Sequence, residues 1–273
     1  MDLPKMDFPE TNYIEIEPNA DSDWLTLWFN QPERRNPLTD GATAELKAIF
    51  ARLKEDRSVR GVTLRGRGGV FCAGGDLSAF KEGFQTQGNR SEIMHMSRGM
   101  ASLLQSFNSL PQVTIAYVEG AAVAGGFGLM CCADVVICAA DTKFSMSETM
   151  IGLSPAQIAP YVIQRLGYAP ARRLMLTAER FGAAKAQEMG LADFAGKDTA
   201  ALDAYEHKIR SQVMRCAPGA VAGTKALLIA LPQLSRDVAV EAAAENFTQR
   251  LLSDEAKDGI ASFFEKRKPG WAK

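Results

Sequence analysis

The longest apolar stretch of the chain, residues 113–140, restricts the possible folds more than any other segment. It contains Glu119, Asp134 and four glycines, whereas a helix that crosses a bilayer needs about 20 consecutive, mostly apolar residues. Two apolar runs within it, 113–118 and 134–139, have the length of buried β-strands, and the glycine cluster lies between them. The stretch is therefore typical of a buried core and is a poor candidate for a membrane span.

Segments before this stretch add predicted strands and helices. Apolar residues recur at spacings of three and four from Ala42 to Leu53, which predicts a helix with Thr39 or Asp40 as its N-cap. Other segments are predicted from strand-like composition or from the same helical spacing. They are the strands 24–29 and 59–65 and the helix 91–110, whose apolar residues lie on one side.

After about residue 154 the pattern changes, because alanine-rich segments that favour helix continue to the end of the chain. Before that point, strands, glycine turns and helices alternate in a ββα order, which is typical of a layered α/β domain. We therefore predict an α/β fold with a ββα core over residues 12–200, which carries the functional site, and a C-terminal helical region over 201–273.

Composition and charge exclude several classes of protein. The chain has 31 Lys and Arg against 32 Asp and Glu, a formal net charge of −1, whereas a general nucleic-acid binder normally has a basic surplus. The two histidines, His95 and His207, lie on predicted helices, so neither a His-rich metal site nor a Ser–His–acid triad is expected. The N-terminus has no apolar segment of the kind found in secretion signals. We predict a protein with no metal and with no nucleic-acid or membrane partner.

The cysteines indicate a reducing, cytoplasmic location. Their number is odd and they form no C-x-x-C pair, so they are expected to be reduced thiols that pack as small apolar groups. They are Cys72, Cys131, Cys132, Cys138 and Cys216.

Two glycine turns, each after a predicted strand, are candidates for binding an anionic oxygen. They are AGGDL at 73–77 and GGFG at 125–128. A backbone without Cβ lets a ligand approach closely, and N–H groups at the start of a helix point outward at its positive end. Two such N–H groups that share one carbonyl oxygen would form an oxyanion hole. An ordinary tight turn is the alternative explanation for each of them, and the spacing alone leaves both open.

Glu148 is the candidate acid/base, because it lies between a strand-like segment and the apolar residues 150–153. Apolar surroundings raise the pKa of a carboxylate and let it exchange protons near neutral pH. The alternative is an exposed loop glutamate. Two other acids have structural explanations: Asp76 is a possible helix N-cap, and Asp134 is expected to be a hydrogen-bonded core acid.

The order and spacing of several motifs resemble those of the crotonase family, also known as the enoyl-CoA hydratase/isomerase family. The resemblance covers about residues 12–270. The motifs are FCAGGDL at 71–77, VEGAAVAGG at 118–126, FSMSETMIG at 144–152, PERRNPL at 32–38, AAKAQEMGLAD at 183–193 and FFEKRKP at 263–269.

This resemblance implies a fold, a substrate class and a partner. The fold would be a crotonase-type ββα superhelix, followed by helices that assemble a homotrimer or a dimer of trimers. The substrates would be acyl-CoA thioesters, whose thioester oxygen is held by two backbone N–H groups, here those of Gly75 and Gly125. No separate cofactor is expected, because coenzyme A is part of the substrate.

The resemblance also implies a set of substrate-binding residues. Arg34 and Asn36 would lie near the CoA entrance. Lys266, of this or a neighbouring subunit, would meet the CoA phosphates, and a solvated surface charge is the alternative. The full set is Arg34, Asn36, Ala73, Asp76, Leu77, Ser78, Gly126, Gln157 and Lys266.

One position departs from the family pattern. Hydratases of the family usually carry two glutamates, of which the second matches Glu148, whereas the first would fall at Gly128. Hydration of a 2-enoyl-CoA, branched or carboxylated, is favoured here because PAQIAP at 155–160 resembles isohexenylglutaconyl-CoA hydratases, and Gln157 could place the water. Methylglutaconyl-CoA hydratase-like members are similar as well. Two alternatives stay open, namely a double-bond isomerase that uses a single glutamate and an inactive CoA-binding member.

Overall fold

A computed structural model of the chain describes residues 8–19, 23–76 and 89–272, and its strands form two sheets. The larger sheet has the order β1-β2-β3-β4-β6-β9 within these residues, and all of its neighbours are parallel except β1 and β2. The smaller has the order β5-β7-β8. The strands are β1 Ile14–Pro18, β2 Trp24–Phe29, β3 Gly61–Gly66, β4 Val113–Val118, β5 Ala121–Val123, β6 Val135–Ala139, β7 Lys143–Ser145, β8 Phe181–Gly182 and β9 Phe194–Gly196.

The α-helices pack on these sheets and dominate the last third of the chain. Short 3-10 helices at Pro32–Arg34, Arg67–Gly69, Glu148–Ile151 and Leu231–Gln233 connect some of the elements. Within the described residues the α-helices are α1 Asp40–Lys54, α2 Arg90–Asn108, α3 Gly125–Cys131, α4 Ala159–Leu166, α5 Tyr168–Thr177, α6 Ala183–Glu188, α7 Thr199–Val213, α8 Pro218–Ala230, α9 Arg236–Leu251 and α10 Asp254–Glu265.

Helix α1 confirms the prediction made from its spacing and cap. Thr39 is the N-cap, and its side-chain oxygen accepts a hydrogen bond from the backbone N–H of Ala42 at 3.1 Å. The buried residues of the helix are those at the predicted apolar positions: Ala42, Leu46, Ile49, Phe50 and Leu53.

Helix α2 buries only part of its apolar side. Leu103, Leu104 and Phe107 in its C-terminal half are fully buried. In its N-terminal half, Ile93 is 45% and Met96 41% exposed. The sequence places these residues on one side of a helix, but they extend beyond the part of the helix that the core covers.

The core has two layers of side chains, one on each face of the larger sheet. The main cluster joins this sheet to α1, the C-terminal half of α2 and α3. A second cluster, which includes Trp24, Tyr117 and Leu202, packs under α7. Beneath α7 the indole N–H of Trp24 donates to Thr63 Oγ1 at 2.9 Å, and the Thr63 hydroxyl donates to Glu206. The predicted α/β fold with C-terminal helices is confirmed, whereas the domain boundary at residue 200 stays a prediction.

None of the described helices is by itself long and apolar enough to cross a bilayer. One pair, α7 with the segment Pro218–Gln233, passes that test jointly by length and composition, and it is bent by 103°.

Candidate active site

The fold brings the two glycine turns against each other. The backbone N–H of Leu38 donates to Gly74 O at 2.8 Å, and Val123 N–H donates to Cys72 O at 3.1 Å. A Cβ atom on Gly74 would lie 3.5 Å from Gly125 N, and one on Gly125 would lie 3.7 Å from Gly75 N. The amide nitrogens of Gly75 and Gly125 are therefore close neighbours, although 50 residues separate them in the sequence.

Both of these N–H groups lack an intramolecular acceptor within the described ranges. Gly125 is the first residue of α3, so the helix itself offers its N–H no carbonyl. The positive end of the helix dipole adds to the potential at this nitrogen. Two neighbouring donors without acceptors can hold one oxygen that becomes negative during a reaction.

Backbone strain before α3 sets the direction of the Gly125 N–H. Ala124 has φ 48° and ψ −120°, a conformation that residues with a Cβ rarely adopt. Its N–H donates to Ser145 O at 2.9 Å, which ties the turn to the end of β7. Strain of this kind costs about 1–3 kcal/mol and persists only where the surrounding structure enforces it, most often at functional sites.

Glu148 follows β7 and begins the 3-10 helix Glu148–Ile151. Its Oε2 atom is buried and has no hydrogen-bond partner among the described residues. Burial raises the pKa of this carboxyl, and a hydrogen bond to its own backbone opposes the shift in part. Because β7 pairs with β5 and its end bonds Ala124, the chain returns Glu148 to the neighbourhood of the second glycine turn. A carboxyl in this state is suited to proton transfer.

Residues 32–38 and 73–76 form a hydrogen-bonded corner beside the first turn. Arg34 pairs with Asp76 at 2.7 Å, and the Arg34 side chain keeps 44% exposure. Ala73 N–H donates to Arg35 O at 3.0 Å. Asn36, by contrast, is fully buried. The corner leaves Arg34 accessible to a ligand but encloses Asn36.

The amide of Asn36 is used entirely by neighbouring backbone. Its Oδ1 accepts from Gln31 N–H at 2.9 Å, and its Nδ2 donates to Arg67 O at 2.9 Å and to Val70 O at 2.6 Å. Its φ of 56° lies in the left-handed region, where Asn is enriched. The geometry thus gives this side chain a scaffolding role, and the position of Asn36 near a CoA entrance stays a prediction.

Three other predicted residues have different surroundings. Gly126 packs against Cys72, since a Cβ there would lie 2.7 Å from Cys72 Cβ. Gln157 is half-buried, and its Nε2 donates to Ser97 Oγ at 2.8 Å. Lys266 is exposed beyond the end of α10, and no ion-pair partner for it occurs in the described part of the chain. Leu77 and Ser78 lie outside the described residues.

The structure adds residues that sequence reasoning missed. Leu38 Cδ1 and Met100 Cε would lie 3.2 and 3.9 Å from a Cβ on Gly125, so both side chains line the second turn. Ser97, one turn before Met100 in α2, holds Gln157. Ile158 packs on Gly128. These contacts join segments that are distant in sequence, so no local sequence pattern predicts them.

The histidines and the buried cysteines do not have the features of catalytic groups. His95 and His207 are exposed on helices. All five cysteines are free, and burial raises the pKa of the Cys72, Cys131 and Cys138 thiols to about 12. Such thiols carry almost no thiolate at neutral pH. The described residues contain no group of three or more His, Cys, Asp or Glu that could hold a metal ion.

Asp134 is hydrogen-bonded as expected, but it lies at the protein surface. Its Oδ2 accepts from Thr114 N–H, from the Thr114 hydroxyl and from Lys225 Nζ at 2.7–2.9 Å. Its side chain keeps 32% exposure. Its role as a structural acid is therefore confirmed, and the prediction that it belongs to the core is wrong.

Comparisons with known proteins agree with this geometry. A model of the enoyl-CoA hydratase/isomerase family matches residues 23–273. The structure of AtuE from Pseudomonas aeruginosa is 39% identical, with a TM-score of 0.91 over 96% of this chain and 100% of that one. The Bos taurus protein named mitochondrial enoyl-CoA hydratase domain-containing protein 2 is 31% identical, over 89% of this chain and 82% of its own.

A second kind of relative carries a different activity in its name. The Arabidopsis thaliana peroxisomal Delta(3,5)-Delta(2,4)-dienoyl-CoA isomerase is 28% identical, over 94% of this chain and 96% of its own. The relatives thus include proteins named for hydration and for isomerisation, and both kinds match this chain along most of its length. Together with the paired glycine turns and the half-buried Glu148, this match shows that the chain belongs to the enoyl-CoA hydratase/isomerase family.

Proposed function

We propose that this protein is a hydratase that adds water across the double bond of a 2-enoyl-CoA thioester. Glu148 is the acid/base, and the N–H groups of Gly75 and Gly125 hold the thioester oxygen. The observations that carry the proposal are the buried Oε2 of Glu148 and the neighbouring N–H groups of Gly75 and Gly125, none of which has a hydrogen-bond partner among the described residues. A buried carboxylate oxygen without a partner is costly unless a substrate or water satisfies it.

The two N–H groups supply the electrostatic part of the mechanism. When a nucleophile adds to the β-carbon, electrons move through the α-carbon to the thioester carbonyl. The resulting enolate carries its negative charge mainly on the thioester oxygen. Donors already aimed at that oxygen stabilise the charge without rearranging, and the loss of one typically costs about 10²–10³ in rate. The strained Ala124 keeps Gly125 in place for this purpose.

In the proposed hydration, Glu148 accepts one proton and later returns one, so its carboxylate is restored at the end of the reaction. Its carboxylate takes one proton from water while the water oxygen bonds to the β-carbon. The resulting carboxylic acid then returns a proton to the α-carbon, so the enolate collapses and the carboxylate is restored. Water is the sole co-reactant, and one carboxyl group suffices for both transfers. Its raised pKa brings the two protonation states closer in energy, as such a shuttle requires.

Gln157 supports hydration because its amide is held in a fixed position. One N–H of the amide donates to Ser97 Oγ at 2.8 Å, which leaves a carbonyl oxygen and a second N–H for water or substrate. We propose that this amide helps to place the attacking water or a polar group on a branched or carboxylated acyl chain. Arg34, on the exposed side of its pair with Asp76, is our candidate for the CoA entrance.

We propose that the active form is a homotrimer or a dimer of trimers. Large apolar side chains on the C-terminal helices are exposed in the single chain, which is unusual unless a partner covers them. Phe247 is 66%, Phe263 79% and Phe264 78% exposed. Lys266 directly follows α10, so assembly would bring it to a neighbouring subunit's CoA.

A double-bond isomerase is the second candidate, and Gly128 favours it. Glu148 would then take a proton from the α-carbon of a 3-enoyl-CoA, which gives a dienolate held by the same two N–H groups, and return the proton to the γ-carbon. This reaction needs no water and only one carboxyl group. The absence of a side chain at position 128 costs an isomerase nothing.

A substrate panel separates these activities. The purified enzyme is given 2-enoyl- and 3-enoyl-CoA thioesters with short, long, branched and glutaconyl-type acyl chains. Hydration removes the absorbance of the conjugated 2-enoyl thioester, whereas isomerisation of a 3-enoyl thioester creates it. Calorimetric binding of acyl-CoA without turnover of any member would contradict both and identify an inactive CoA-binding protein.

A further inference from the structure

The space that a side chain at position 128 would need is occupied by the side chain of Ile158. A Cβ on Gly128 would lie 2.0 Å from Ile158 Cγ2 and 2.3 Å from Ile158 Cβ, while Ile158 Cα would be 3.4 Å away. The first two distances are far inside van der Waals contact, and both atoms belong to the stiff branch of the side chain. Any residue larger than glycine at 128 is therefore incompatible with Ile158 in its present position.

The backbone holds Ile158 where it is. Ile158 is the N-cap of α4, and its carbonyl accepts from Tyr161 and Val162 N–H at 3.1 Å each. The side chain is only 3% exposed. The preceding residue, Gln157, is bonded to Ser97 of α2. Ile158 is thus fixed by its own helix and by its neighbour, and it cannot swing away at low cost.

Gly128 lies on the functional helix, one turn after Gly125. Side-chain positions three apart are neighbours on a helix, so a side chain at 128 would begin within one turn of the residue whose N–H is proposed to bind the thioester oxygen. The atoms of Ile158 occupy that volume instead. A second carboxylate at 128 is excluded by packing as well as by the identity of the residue.

We propose that Ile158 is a specificity-determining residue, which excludes every side chain from position 128 and leaves Glu148 to act at the reacting carbons without a second carboxylate there. This inference rests on the proposed function of Glu148. Positions 128 and 158 can change only together, and Ile158 controls the balance between hydration and isomerisation.

The first test measures packing alone, through thermal unfolding. Gly128→Ala is made in the natural chain, in Ile158→Gly and in Ile158→Val. Helix propensity favours alanine over glycine inside a helix, so Gly128→Ala would raise Tm if Ile158 did not occupy the space of the new methyl group. We call this steric conflict between position 128 and Ile158 the interlock. We expect Gly128→Ala to lower Tm by about 4–10 °C in the natural chain, as overpacking does.

The effect of Gly128→Ala in the two Ile158 variants then shows which atoms of Ile158 cause the loss of Tm. Ile158→Gly removes Cγ2 and Cβ, and glycine is accepted at an N-cap, so Gly128→Ala should leave Tm unchanged or raise it there. Ile158→Val is the matched control, because it keeps both clashing atoms and must preserve the full loss. An equal loss in all three backgrounds, or a gain in the natural chain, would overturn the interlock.

The second test asks whether the filled volume controls chemistry. In Ile158→Gly, adding Gly128→Glu should raise the rate of 2-enoyl-CoA hydration at least tenfold over Ile158→Gly alone, with a smaller or no gain in 3-enoyl-CoA isomerisation. Equal gains in both reactions, or none, would refute the specificity role even if the packing result holds. Failure of the proposed function would show elsewhere, as undiminished turnover in Glu148→Gln.

Discussion

Gly125 and Gly128 lie one turn apart on α3 and lack side chains for opposite reasons. Around Gly125 a Cβ would find its nearest atom, Leu38 Cδ1, at 3.2 Å, and its N–H has no acceptor within the described chain. Around Gly128 a Cβ would find Ile158 Cγ2 at 2.0 Å. The first glycine keeps space for a ligand, whereas the second makes room for the protein itself.

This difference shows why a glycine-rich motif cannot be interpreted as a unit. Gly126, between the two, packs on Cys72 and belongs with Gly128. Of the three glycines at the start of α3, only Gly125 combines an open surface with an unused donor at the positive end of the helix. Variants at Gly125 should therefore reduce mainly turnover, whereas variants at Gly126 and Gly128 should reduce mainly stability.

The largest expected effect is the loss of the Gly125 donor. Gly125→Pro removes the N–H at the first position of α3, where the fixed φ of proline itself suits a helix. We expect kcat for enoyl-CoA turnover to fall about 10²–10³-fold. Initial rates at saturating substrate, with circular dichroism to verify the fold, measure this effect.

The matched control is Gly125→Ala, which retains the donor. Its methyl group would lie 3.7 Å from Gly75 N, so its rate loss reports crowding alone. Proline should lose at least about tenfold more than alanine. Equal losses would mean that the N–H of Gly125 does not stabilise the transition state.

A smaller effect is expected at Asn36, which resembles Gly128 in serving the protein and not the ligand. Asn36→Ala leaves the N–H of Gln31 and the carbonyls of Arg67 and Val70 without their buried partner. We expect the free energy of unfolding to fall by about 2–3 kcal/mol, which urea titration measures. The affinity of the folded enzyme for acyl-CoA should change by less than about threefold. A large loss of affinity with unchanged stability would restore Asn36 as a direct ligand contact.

The smallest effect is a gain of stability in Glu148→Gln. Burial raises the pKa of Glu148 in the folded state, so folding favours its protonated form. The associated stability is complete below the unfolded pKa and is lost as pH rises through the folded pKa. At pH 7 the charged carboxylate therefore destabilises the fold, and neutral glutamine should raise Tm by about 1–3 °C. The gain should vanish near pH 4, and a lower Tm at pH 7 would contradict the assignment of a desolvated carboxylate.

Local patterns predict the parts of this fold that local physics determines. The cap and buried face of α1 follow from Thr39 and the spacing of its apolar residues. The strand Trp24–Phe29 is confirmed at both ends. The short strands Phe181–Gly182 and Phe194–Gly196 show no period and were not predicted, whereas Lys143–Ser145 confirms a segment of strand-like composition.

The candidate site also has parts that the sequence predicts and parts that it does not. Glu148 and the two glycine turns are visible as motifs, although their proximity depends on pairing of β5 with β7 and on the Ala124–Ser145 bond. The contact of Ile158 with Gly128 spans 30 residues, and that of Gln157 with Ser97 spans 60. Such contacts leave no local signal. The positive φ of Asn36 is equally hidden, because a following proline favours an extended conformation for the residue before it.

The central claim is that Glu148 moves the protons while the backbone holds the charge. The most direct test measures kcat and acyl-CoA affinity of Glu148→Gln together, because glutamine keeps the shape of the side chain but cannot exchange protons near neutral pH. We predict that kcat falls at least about 100-fold, while the dissociation constant measured by calorimetry changes less than about threefold. Turnover at the natural rate with unchanged binding would contradict the account.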